Sequence, residues 1–182
     1  GIQEMGLCLA TVCMSQIYPM PMVIALVPSI TKNAAVAYVH YLSFMLCFAA
    51  LILERKLIKP DIDRTSAISM VVTDVVYGIA GLTLLISGIL RVIYFGQGTE
   101  FYTQNPVFWW KVGIFLFVGV LSLYPTITYI SWAIPLSKGQ LPEMKSGKVF
   151  WIGWLINVEI FGFALIPLLA TLMARGVGLN SQ

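Results

Sequence analysis

Five side chains in this sequence are of types that could do chemistry inside an apolar protein: His40, Asp74, Glu159, Arg91 and Lys111. His40 is the only histidine. A zinc site, or a binuclear copper or iron site, draws on several N, S or O ligands, which one His with scattered Cys and Met does not supply. A tetrapyrrole asks for less, because its ring already fills four metal positions and the protein adds one axial ligand. His40 is therefore a candidate axial ligand to the metal of haem b or chlorophyll. Ala37, one turn earlier, leaves room for a flat ring, and Ser43, Phe44 and Cys47 continue the same helical face. Arg91 and Lys111 could pair with haem propionates or an acidic substrate. The plainer alternative is no cofactor, with His40 hydrogen-bonded across helices to Asp74, Glu159 or a backbone carbonyl. Asp74 and Glu159 read either as a proton-transfer pair or as two satisfied polar residues that fix helix register.

The elements that must position these groups follow from composition. The chain has 182 residues, 59% hydrophobic and only 10% charged, with a mean hydropathy of +0.88. A soluble domain carries about 25% charged residues, so this chain lacks the polar surface to face water on all sides. It reads as an integral membrane protein whose main environment is the lipid bilayer. A helical crossing takes roughly 20 residues, which leaves no room for a large soluble catalytic domain. Eleven Lys and Arg against eight Asp and Glu, with no dense basic tract, exclude nucleic-acid binding as a main role.

Charge-poor runs place the crossings at 33–53, 65–94, 108–134 and 149–174. The expected fold is all-α: an antiparallel four-helix transmembrane bundle over 33–177, with a tail at 178–182. Lipid excludes an open sheet, and the runs lack the alternation of a membrane barrel. Residues 1–32 form an additional hydrophobic segment broken by Pro19, Pro21 and Pro28. It reads as a short helix followed by an extended or re-entrant stretch, with a fifth crossing as the alternative. A cleaved targeting segment upstream would fit the initial Gly1, whereas Glu4 and the lack of a basic stretch argue against a retained signal.

Lys and Arg concentrate in the first and third loops, which places those loops on the cytoplasmic or stromal side, called inner below. His40, Arg91 and Lys111 then lie toward the outer side, while Asp74 and Glu159 share a depth about ten residues in from the inner side. Glu54 reads as part of a charged anchor at the end of the first crossing. Trp109 and Trp110 at one end of the third crossing, and Tyr129 and Trp132 at the other, read as interfacial aromatics. Phe95 to Pro106 reads as a structured cap in which Gly96 and Gly98 allow positive φ, lacking the strand that precedes a nucleotide-binding loop. Gly78, Gly81 and Gly88 read as close-packing positions. Pro125 and Pro167 are expected to kink their helices. Cys8, Cys13 and Cys47 read as small buried hydrophobes.

Several runs together resemble a known family. Tyr38-Val39-His40-Tyr41, Asp74-Val75-Val76-Tyr77-Gly78, the stretch from Ser87 to Gly96, and Asn105-Pro106-Val107-Phe108-Trp109-Trp110-Lys111 are similar to the bacterial and chloroplast membrane proteins called domain of unknown function 2214. Glu159 to Ala170 and Met173 to Gly176 extend the resemblance over about residues 33–177. It implies a four-helix membrane domain, an accessory or assembly subunit of a larger membrane complex such as a photosystem, and a plastid thylakoid location. A bacterial inner membrane is the alternative. A fainter resemblance, carried by His40, Arg55 and Trp110-Lys111, is to haem-b-dependent membrane protoporphyrinogen oxidases, and implies a haem oxidoreductase instead.

Overall fold

The computed structural model describes residues 20–141 and 144–178, with side chains from residue 29 onward. Helix α1 runs from Met20 to Leu57 and α2 from Arg64 to Leu90, continued by a π-helical turn at Arg91–Phe95. A short helix, α3 (Thr99–Thr103), crosses the outer end, and α4 (Pro106–Ser137) and α5 (Ser146–Ala174) complete the chain. Four helices are long and apolar enough to cross a membrane: Ser29–Leu57, Arg64–Phe95, Pro106–Ser137 and Ser146–Ala174. There is no strand among the described residues. The fold is thus the all-α bundle the composition calls for.

Helices α1 and α2 form one antiparallel hairpin and α4 and α5 another. The two hairpins meet along α2–α4 and α1–α5. Each helix buries a narrow seam: Ser43, Cys47, Ala50, Leu51 and Glu54 on α1; Met70, Asp74, Tyr77, Leu84 and Ser87 on α2; Val118, Ser122, Pro125, Tyr129, Trp132 and Leu136 on α4; Ile152, Ile156, Glu159 and Phe163 on α5. Steps of three and four residues along each seam are the spacing at which neighbouring antiparallel helices interlock. Large apolar side chains such as Ile79, Leu82, Val120, Ile127 and Phe161 face outward, where lipid takes the place of a second apolar layer.

Several expectations are corrected. Pro21 and Pro28 do not break the chain into an extended stretch: α1 is continuous from Met20. Pro21 falls in the first turn, whose N–H groups lack intrahelical acceptors, and Pro28 removes one bond from a long helix. The boundary placed at residue 32 therefore lies within a helix, while the short helix expected near the N-terminus, Cys8, Cys13 and most of the 178–182 tail lie outside the described residues. Tyr129 and Trp132 are not interfacial but sit inside the bundle, at 0% and 5% exposure. Gly78 and Gly81 face open space, and the helix-packing glycine is Gly162, against Val118 and Ile114 of α4.

The inner loops are tied locally. Asp63 caps α2, its carboxylate accepting from Ser66 Oγ at 2.6 Å and Ser66 N at 3.3 Å, with Lys59 Nζ 3.3 Å away. Arg64 donates to the Leu136 carbonyl at 3.4 Å, at the C-terminal turn of α4. At the outer end, buried Asn105 accepts from Val107 N at 2.9 Å and donates to the Val177 carbonyl at 3.2 Å, joining the start of α4 to the end of the fold. Gly98 takes φ +95°, as expected. Gly96 has φ −108° and is needed for another reason: a Cβ there would strike the Arg91 carbonyl and the Tyr102 ring.

Candidate functional site

Polar residues on the seams fall into two layers of opposite charge. The outer layer holds His40, Ser87, Arg91 and Lys111. His40 Nδ1 lies 3.0 Å from Ser87 Oγ, joining α1 to α2. Ser87 Oγ is also 2.7 Å from the Thr83 carbonyl and 3.1 Å from that of Leu84, which take its single proton. Its oxygen is then the acceptor for His40 Nδ1–H, and the Nε2 lone pair is left for another partner. Gly88 makes this position possible, because a Cβ there would come within 3.3 Å of His40 Cε1.

Arg91 opens the π-helical turn, a distortion common at functional sites. Its guanidinium stands over the Tyr41 ring, 5.0 Å from the centroid, and its buried Nε has no hydrogen-bond partner. Lys111 Nζ lies 5.4 Å from the Phe108 ring centroid. The charges of Arg91 and Lys111 act on His40, and Arg91 acts on Lys111. Among the described residues neither cation forms an ion pair. The outer layer is an uncompensated positive site containing one histidine.

The inner layer is acidic, and each spanning helix contributes to it. Asp74, 6% exposed, accepts from Thr126 Oγ1 at 2.7 Å. Glu159, at 0% exposure, has no partner for either oxygen, and Glu54, at 1%, has none for Oε1. The Tyr129 hydroxyl is enclosed and also unpartnered. All three carboxyls act electrostatically on Tyr129, and Glu54 feels both Asp74 and Glu159. Counting inward from the His40–Ser87 contact, Glu54 and Asp74 come level to within about 2 Å.

Thus His40, Arg91 and Lys111 are brought together, as are Asp74 and Glu159, and the two groups are separate. Neither Asp74 nor Glu159 is the partner of His40; that partner is Ser87, whose hydroxyl carries no charge to mark it in the sequence. Glu54, read as an anchor, belongs to the acidic layer, because α1 continues one turn beyond it and Ile58 and Ile62 of the following loop pack inward. The seam spacing Cys47, Leu51, Glu54 was the signal that could have found it. Arg55 donates to Asn157 Oδ1 at 2.8 Å. It lies about 22 Å along α1 from His40, so the three residues that suggested an oxidase do not meet. Cys47 is buried and free, its Sγ 3.8 Å from the Tyr77 carbonyl.

The family model described as "Predicted membrane protein (DUF2214)" matches residues 32–178. That range takes in both charged layers and all four crossings. No curated protein and no solved structure matches the chain.

Proposed function

Since the chain belongs to the DUF2214 family of predicted membrane proteins, we infer that it is a small polytopic subunit of a larger membrane complex that carries one tetrapyrrole on His40. The observation that supports this reading is the His40–Ser87 hydrogen bond, which orients the ring and leaves Nε2 as the free donor atom. A hydrogen bond to the second imidazole nitrogen is the usual support for a metal-ligating histidine. When bound, such a group would supply one-electron or light-absorbing chemistry. The chain's own residues ligate it through His40, orient that ligand through Ser87, and make space for it through Gly88.

Arg91 and Lys111 favour haem b over chlorophyll. Haem presents two propionates that charged donors hold well, whereas the corresponding side chains of chlorophyll are esterified. The subunit role is supported by small size and by outward-facing aromatics such as Trp151 and Trp154 on α5. A thylakoid membrane and a photosystem-associated role fit the family resemblance, as does a bacterial inner membrane. The second reading is a haem-b oxidoreductase, favoured by two unpaired cations that could equally hold an acidic substrate. The remoteness of Arg55 counts against a site built like that of the protoporphyrinogen oxidases.

The test is an absorption spectrum of the gently purified protein, with pigment extraction into organic solvent. A Soret band with α and β bands that sharpen on reduction supports haem b. Chlorophyll in the extract would reverse the choice of tetrapyrrole, and a colourless protein would remove the reading.

A further inference from the structure

The acidic layer has no role in tetrapyrrole binding, yet it is the most costly feature of the bundle. Ionisable groups within a membrane are rare, face a bundle interior and require a compensating partner or a function. Here Glu54, Asp74 and Glu159 come from three different helices and enclose a space with no cationic side chain. The nearest positive group by sequence, Arg55, faces outward and is engaged by Asn157. The other titratable groups near the layer are Tyr77 and Cys47, on the outer side of it, and Tyr129 on α4. Of these carboxyls, only Asp74 has a hydrogen-bond donor, Thr126.

Enclosed carboxylates need positive charge on their oxygens, and three sources exist: a divalent metal ion, an alkali cation or protons. Among the described residues, no three His, Cys, Asp or Glu side chains converge as a metal ion requires. The unpartnered atoms are those a proton network would use. Glu159 presents two free oxygens, Glu54 presents Oε1, and the Tyr129 hydroxyl, at 0% exposure, can both donate and accept.

We propose that Glu54, Asp74, Glu159 and Tyr129 form a proton-binding site at the junction of the two helical hairpins, in which exchangeable protons are shared between carboxyls and the tyrosine hydroxyl. Glu54, three residues from the inner end of α1, is the member through which protons enter and leave on the inner side. Asp74, anchored by Thr126, is the fixed acceptor, and Glu159 is the group whose proton has no competing donor. Each transfer moves one proton from a carboxyl oxygen to the neighbouring oxygen, with no oxidant or co-reactant involved. The α2–α4 and α1–α5 contacts both flank this layer, so the proton count bears on how the hairpins sit against each other.

The test is infrared spectroscopy of the full-length protein in lipid nanodiscs at neutral pH, reading the carbonyl stretch of protonated carboxyl groups. Wild type should show this band, and the band should shift on transfer to deuterated water. Glu159→Gln should remove part of it. Tyr129→Phe deletes a single oxygen from the buried ring, and should move the band frequency while leaving the helical circular dichroism unchanged. Added sodium or potassium at fixed pH should have no effect. Absence of the band, or a band identical in wild type, Glu159→Gln and Tyr129→Phe, would overturn the proposal. Loss of the band on adding an alkali salt would overturn it in favour of a bound cation.

Discussion

His40 and Ser87 meet at 3.0 Å across α1 and α2, and the hydroxyl of Ser87 is committed to its own helix, so the histidine must be the donor in that contact. One consequence is chemical, since Nε2 is left free. The other is mechanical, since the bond fixes the register that brings Glu54 level with Asp74.

Ser87→Ala should lower stability by about 1 kcal/mol, the net worth of an ordinary hydrogen bond, and weaken chromophore retention by roughly 10- to 100-fold, as loss of a ligand's outer partner does. Thermal melts and titration of the stripped protein with haem read the two effects separately. A variant with unchanged retention would show that Ser87 does not orient a ligand.

Gly88→Ala should act on the same site by crowding. The added Cβ lies 3.3 Å from His40 Cε1, so the ring must shift by a few tenths of an ångström. The expected result is a displaced or broadened Soret band with the helices intact. Gly78→Ala, at a position facing open space, should leave the spectrum unchanged and serves as the control.

The helical hairpins were legible in the sequence because uninterrupted apolar runs and their charged borders are set by bilayer thickness alone. Which face of each helix looks inward was harder to read. In lipid the outward face is as apolar as the inward one, so hydrophobicity gives no contrast, and Tyr129 and Trp132 looked like interfacial residues for that reason. Polar residues carry the information instead. Asp74 and Glu159 stood out, while Glu54 was masked by Arg55 and Lys56 beside it, and Ser87 by the absence of charge. Both layers become visible once residues spaced by three and four are followed from one polar group to the next.

Topology gives a third prediction. In a background without native cysteines, cysteines placed in the Lys56–Arg64 and Gly139–Gly147 stretches should label from one side of the membrane. Those in Gly96–Thr103 should label from the other, and the basic bias puts the first two on the inner side. Labelling of the first and second loops from one side would contradict the antiparallel order.

Asp74 and Thr126 should be coupled. Thr126→Val removes the only donor to an enclosed carboxyl and should cost about 1 to 3 kcal/mol, whereas Asp74→Asn, which still accepts from Thr126, should cost less. A double-mutant cycle with additive effects would show that the 2.7 Å contact does not form.

At the inner surface, the Ser66 hydroxyl first, and then Lys59, hold Asp63 below its ordinary 3.8, at about 2. A depressed folded value means that the cap contributes fully above the unfolded value and is lost as pH falls toward about 2. Amide exchange in the first turn of α2 should therefore rise over that window. Asp63→Asn, which caps without titrating, should abolish the step.

The most direct test of the central claim is the chromophore content of His40→Ala beside wild type, with circular dichroism on both. The account predicts that the variant folds with its helices intact and loses the bound tetrapyrrole, because the metal bond is gone while Ser87 keeps its bond to the Thr83 carbonyl. A His40→Ala protein that retains the full chromophore content would contradict it and leave His40 as a hydrogen-bonded strut between α1 and α2.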